Sequence, residues 1–148
     1  MQKTTSLTIA EAQRLPRPRP RTSRILVTDD HDDSRELLAA FLMLEGHTVR
    51  TAADGREALR ICFDFQPEIV FLDLCMPGMD GYEVCTRLRQ NAATKDAAVY
   101  ALTAYPHEGP SPDAPLRLFD RYLLKPVELE EIGRLIAGRR ETRSPVSG

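Results

Sequence analysis

Ile69-Val70-Phe71-Leu72 is an unbroken apolar run between Pro67 and Asp73. A strand with one wet face would alternate apolar and polar residues. A short continuous run reads instead as a strand buried on both faces, in a parallel sheet covered by helices on each side. The rest of the chain supplies the other strands and the covers. Ile25-Leu26-Val27 is a second short apolar run, ended by Asp29, Asp30, Asp32 and Asp33. Ser34 or Asp33 is placed to cap a helix with Leu37, Leu38, Phe41 and Leu42 on one face. Gly46 stops it, and Thr48–Ala52 suits an edge strand. Asp54-Gly55 turns into a helix with Ala58, Leu59, Cys62 and Phe65 inward, and Pro67 breaks it. After Pro77-Gly78, residues Tyr82, Val84, Cys85 and Leu88 mark a third helix. Val99–Leu102 and Tyr122–Leu124 are the fourth and fifth strands. Leu129, Ile132, Leu135 and Ile136 mark a last helix after Pro126.

Strands alternating with helices predict an α/β fold, a doubly wound five-stranded parallel sheet with its site at the carboxyl ends of the strands. One segment breaks the alternation. Tyr105 to Phe119 contains Pro106, Gly109, Pro110, Pro112 and Pro115. Interior proline costs a helix ~3 kcal/mol, so a loop is expected where a fourth of five helices would fall.

Composition narrows the class. The 148 residues are 42% hydrophobic, enough for the core of one domain. No apolar run approaches the ~18 residues of a membrane helix, and the N-terminus lacks the apolar stretch of a secretory signal. Three cysteines (Cys62, Cys75, Cys85) form no CxxC pair and suit free thiols in the cytoplasm. The net charge of -2 hides an asymmetry. Residues 1–24 carry +5, residues 139–148 carry +2, and residues 25–138 are left with -9. The expected organisation is a basic Pro/Arg-rich arm over 1–23, a globular domain over 24–138 and a flexible tail over 139–148. Pro16 to Arg21 alternates proline with arginine and is expected to be extended.

The chemistry sits where strands end. Asp29 and Asp30 follow the first strand and Asp73 ends the third, and in a doubly wound sheet those ends are neighbours. Three converging carboxylates raise one another's pKa unless a cation relieves them. An all-oxygen set suits magnesium or manganese. Thr103 closes the fourth strand and Lys125 the fifth, so a hydroxyl and an ammonium share the rim. Together these residues suit phosphoryl transfer onto a carboxylate. Singly, each has a plainer reading. Asp29–Asp33 could be a solvated helix-capping loop; His31 beside the acids could be a metal ligand, though a lone loop histidine is more often solvated, and His47 and His107 have no partner that the sequence names. Cys62 and Cys85 read as core filler.

Residues 24–138 resemble the receiver domain of two-component response regulators. The resemblance rests on Ile25–Asp30, on Asp73-Leu74-Cys75-Met76-Pro77-Gly78-Met79-Asp80-Gly81, on Ala101-Leu102-Thr103-Ala104 and on Tyr122–Pro126. It implies the flavodoxin-like receiver fold and a protein that is not an enzyme of external metabolites. It implies Asp73 as acceptor of a phosphoryl group from a sensor histidine kinase or histidine phosphotransfer protein. Mg2+ would be held by Asp30, Asp73 and the carbonyl of Cys75, with Asp29 acting mostly through water. Lys125 would pair with the phosphoryl group, Thr103 would swing onto it, and Tyr122 would turn inward as the coupled switch. Cys75 and Tyr105 occupy the positions that gate water during dephosphorylation. Leu118 stands where the family commonly has a small residue. With ten residues after Gly138, no effector domain and no specific DNA binding are expected of this chain. The proline-rich stretch favours a monomer with an unidentified downstream protein as target.

Three other readings compete. A receiver-like docking module would never be phosphorylated, and the intact Asp29, Asp30, Asp73, Thr103 and Lys125 argue against it. An aspartyl-phosphate hydrolase would commonly place a second Asp at position 75, where Cys75 stands. A flavodoxin-like FMN carrier would bring phosphate against Asp29, Asp30, Asp32 and Asp33.

Overall fold

The computed structural model describes residues 8–10, 22–104 and 118–142. Five strands form one sheet: β1 (Arg24–Thr28), β2 (Thr48–Ala52), β3 (Ile69–Asp73), β4 (Ala98–Thr103) and β5 (Arg121–Leu124). Their order is β2-β1-β3-β4-β5 and every pairing is parallel. The apolar run of β3 is therefore central, and all five of its residues are buried. The Thr48–Ala52 segment lies at an edge, as its mixed composition predicts.

Four helices are described: α1 (Asp32–Leu44), α2 (Gly55–Phe65), α3 (Gly81–Gln90) and α4 (Leu129–Thr142). The period-2 alternation of strand side chains divides the core in two. Leu26, Val70, Leu72, Val99 and Ala101 face α2 and α3, meeting Leu59, Cys62, Val84 and Leu88. Ile25, Val27, Ile69, Phe71 and Leu102 face α1 and α4, meeting Leu38, Leu42, Ile132 and Ile136. Each fully buried aliphatic or Phe side chain contributes about 1.5–3 kcal/mol of transfer free energy. These two layers hold the strand ends in register.

The helix starts follow local chemistry. Asp54 accepts the Glu57 N–H (2.8 Å), and Glu57 reaches back to the Ala53 N–H (3.1 Å). Asp80 accepts the Glu83 N–H at 2.9 Å. Both are acidic caps with a glutamate three residues on. The α1 cap differs from expectation. His31 is the N-cap and makes no side-chain cap bond, while Asp32 and Asp33 fill the first turn, where negative charge suits the helix dipole. Leu37 also departs from its expected inward place and is 62% exposed. Leu38, Ala39 and Leu42 form the buried stripe, and Leu37 is rotated about 100° off Leu38.

His47 is buried and accepts the Ser23 N–H through Nδ1 at 3.1 Å. α4 runs past Gly138 to Thr142. The loop expected over 105–119 falls outside the described residues apart from Leu118 and Phe119, as do Tyr105, His107 and nearly all of the basic arm.

Candidate phosphoacceptor site

The sheet register assembles the site. Thr28 pairs with Leu72, so one residue further along each strand Asp29 stands beside Asp73. Asp73 pairs with Leu102, which puts Thr103 one step on, and Thr103 pairs with Leu124, which puts Lys125 one step on again. The Lys125 N–H bonds the Thr103 carbonyl at 2.7 Å, and the Lys125-Pro126 peptide is cis. Lys125 Nζ then lies 3.0 Å from Asp29 Oδ2 and 3.0 Å from Asp73 Oδ2. The two carboxylates are almost fully buried, with side chains 3% and 4% exposed.

The other carboxylate oxygens are also held. Asp73 Oδ1 accepts the Cys75 N–H at 3.0 Å, and Asp29 Oδ1 accepts the His31 N–H at 2.9 Å. Two close carboxylates with one lysine are electrostatically unequal. Burial pushes the Asp73 carboxyl up to about 6, against the hydrogen bonds from Lys125 and Cys75. Burial also pushes Asp29 up, but the His31 N–H and Lys125 outweigh it and hold Asp29 below the usual range. Burial alone would lower Lys125, and its two carboxylate partners raise it instead. The lysine is thus charged, and Asp73 is the carboxylate that the fold leaves short of compensation.

The loop after β3 is built to approach the strand end. Gly78 has φ +84°, the left-handed region that suits glycine. A Cβ on Gly81 would lie 2.7 Å from the Asp73 carbonyl oxygen and 3.0 Å from Leu74 Cα. Only glycine lets α3 start this close to Asp73. Cys75 is exposed at the rim, while Cys62 and Cys85 are buried free thiols that burial pushes up to about 12.

Asp29, Asp30, Asp73 and His31 offer ligand atoms that all lie within 4.8 Å of one another. Asp30 Oδ1 is buried without a hydrogen-bond partner. Such an orphaned oxygen in an acidic cluster fits the donor set of a divalent cation.

Thr103 is buried. Tyr122 is half-buried and rests edge-on against Phe119 (5.3 Å between centroids), which rests edge-on against Tyr82 (5.6 Å). Beside the acids lies a cleft of about 380 Å³ floored by Leu37, Leu38, Val127 and Leu129. A larger one of about 540 Å³ lies at the opposite, amino-terminal end of β4 and β5, among Asp120, Arg121 and Arg134. It has no part in the acid cluster.

The structure brings together Asp29, Asp30, Asp73 and Lys125, and puts Thr103 and Cys75 on the same rim. Sequence reasoning set His31 aside and missed Arg35 and Phe119. Arg35 clamps the β1 end, donating to the Asp29 carbonyl at 2.8 Å while it pairs with Asp32. Its i,i+3 spacing from Asp32 was the available signal.

Fold and site together define a class: flavodoxin-like α/β domains with an acidic site at the carboxyl edge of the sheet. The profile of the response regulator receiver domain matches residues 25–137, and the chain belongs to that family. It is 38% identical over 112 residues to an uncharacterized 14.6 kDa protein from Leptolyngbya boryana, covering 76% of this chain and 86% of that one. It is 42% identical over 112 residues to the transcriptional regulatory protein TcrA of Mycobacterium tuberculosis, covering 74% of this chain and 42% of that regulator. The chain thus matches less than half of TcrA. The response regulator TrrA of Thermotoga maritima, solved with Mg2+ and BeF, superposes with a TM-score of 0.69 at 37% identity, covering 79% of this chain and 98% of that one. Among the described residues no helix is long and apolar enough to cross a membrane.

Proposed function

We propose that Asp73 accepts a phosphoryl group from a phosphohistidine of a sensor histidine kinase or histidine phosphotransfer protein. The observation that carries this is Lys125 Nζ at 3.0 Å from both Asp29 and Asp73, two buried carboxylates on adjacent strand ends. A lysine so placed neutralises charge at the acceptor before transfer and can pair with phosphoryl oxygens after it. In the transfer, Asp73 forms a new P–O bond as the donor's P–N bond breaks, and the imidazole leaves with the bonding pair and takes a proton. Asp30, Asp73 and the Cys75 carbonyl would hold Mg2+, with Asp29 acting through water. The cation's part is to offset negative charge on the phosphoryl oxygens.

After transfer, the Thr103 hydroxyl turns onto the phosphoryl group and Tyr122 follows, shifting against Phe119. A downstream protein reads that change. The apolar floor at Leu37, Leu38, Val127 and Leu129 gives the donor a surface to rest on beside Asp29 and Lys125. Residues 24–138 act as the receiver unit, with the basic segments on either side lying outside the phosphotransfer chemistry. The site of action is the cytoplasm, where kinase and receiver would meet.

Incubation with acetyl phosphate and Mg2+ tests the reading by intact mass. One added phosphoryl group, lost when a chelator replaces Mg2+, is the expected result. A chain that takes up no phosphoryl group, or takes it up equally well in excess chelator, would contradict it.

A further inference from the structure

His31 holds the N-cap position of α1, where a side chain ordinarily accepts an N–H from the first helical turn. It makes no such bond. Its ring turns back toward the acids, with Nδ1 3.2 Å from Asp30 Oδ1 and 3.4 Å from Asp29 Oδ1. Asp30 Oδ1 is buried and makes no well-aligned hydrogen bond, so the His31 ring is close to it without satisfying it. The ligand atoms of His31, Asp29, Asp30 and Asp73 span no more than 4.8 Å. Two ligands on opposite sides of one ion, each ~2.0–2.2 Å from it, stand ~4.0–4.4 Å apart. The cluster can therefore close on a single ion with small side-chain shifts. The His31 side chain is 70% exposed, so its ring is free of tight packing that would oppose such a shift.

We propose that His31 is a nitrogen ligand of this cation site and makes it hold a borderline divalent ion such as Co2+, Ni2+ or Zn2+ more tightly than Mg2+. The inference rests on reading the acid cluster as the cation site of the domain. The chemistry is one of ligand type. Mg2+ takes oxygen donors and keeps its waters, so an imidazole adds nothing for it. Imidazole suits borderline ions such as Co2+, Ni2+ and Zn2+, whereas carboxylate, carbonyl and water suit Mg2+. One histidine among carboxylates therefore separates the two kinds of ion. A rival role for the same ring is that of a donor that occupies the carboxylate oxygens and competes with every cation alike.

Calorimetric titration of the untagged full chain with Co2+ and with Mg2+ decides the matter, using wild type, His31→Ala and Asp30→Asn. His31→Ala should weaken Co2+ binding about tenfold or more, change the visible ligand-field bands of bound Co2+, and leave Mg2+ affinity within about twofold. Co2+ affinity and bands unchanged in His31→Ala would overturn the role of His31 while leaving the cation site intact. Tighter binding of both ions in His31→Ala would overturn it in favour of competition. If wild type binds neither ion, or Asp30→Asn changes neither titration, the cation site itself falls and His31 with it.

Discussion

At the scale of single residues, Asp73 is a carboxylate that the fold holds in an unfavourable place. Its pKa is raised by burial from 3.8 to about 6. A native state that keeps the proton more readily than the unfolded chain loses stability as pH rises between those values. The cost is fully present above about 6 and vanishes as pH falls toward 3.8. Asp73→Asn removes it, at the expense of one of the two Lys125 partners. The variant should exceed wild type in stability at pH 7.5 by on the order of 1–2 kcal/mol, and the gap should narrow to about a third of that by pH 4.5. Denaturant titrations at both pH values check this, and a wild type more stable at pH 7.5 would contradict it. Cys75 governs a second expectation, with Tyr105. Neither side chain orients water as a carboxylate or amide would, so the aspartyl phosphate should be long-lived. Cys75→Asn with Tyr105→Glu should shorten its half-life about tenfold, equivalent to ~1.4 kcal/mol of barrier. Phosphate loss after donor removal measures this, and an equal or longer half-life would show that these side chains do not gate the water. The strand-end residues were legible in the sequence because apolar runs stop at them. His31 was legible only as a possible ligand outweighed by a solvated reading, and Arg35 and Phe119 were not legible, because their roles depend on where a loop or a neighbouring element turns the side chain.

At the scale of elements, the strands were the most legible parts, since β3 and β4 are buried along their whole length and are apolar up to the Asp73 and Thr103 that end them. The α2 and α3 starts were legible through Asp54 and Asp80. The α1 start was not, because a histidine holds the position that a capping residue would take. Leu37 was misplaced because an adjacent pair such as Leu37-Leu38 cannot share one narrow stripe. The β3–α3 connection carries the sharpest element-level constraint. A methyl group on Gly81 would meet backbone atoms of Asp73 and Leu74, which cannot rotate aside. Gly81→Ala should destabilise the protein by about 1–3 kcal/mol and slow phosphorylation, as the loop carrying Cys75 is pushed from Asp73. Thermal melts and labelling rates of the variant test this. A variant with wild-type stability and rate would show that α3 can retreat without moving the acceptor.

At the scale of the whole molecule, residues 25–138 carry -9 between basic segments, and the buried acid pair adds local repulsion to a globule already negative. A divalent cation that binds only the folded chain should therefore stabilise it. At ten times its dissociation constant the gain is about 1.4 kcal/mol. Mg2+ should raise the melting temperature by a few degrees at constant ionic strength, and Asp30→Asn should abolish the rise. An equal rise in the variant would assign the effect to general screening. The proposed role of the whole molecule depends on one carboxylate accepting the phosphoryl group. Labelling with acetyl phosphate and Mg2+, then borohydride trapping and peptide mapping by mass spectrometry, tests that claim most directly. The predicted result is reduction to homoserine at position 73 alone, absent in Asp73→Asn. Homoserine at position 29, 30 or any other position, with Asp73 unreduced, would contradict it.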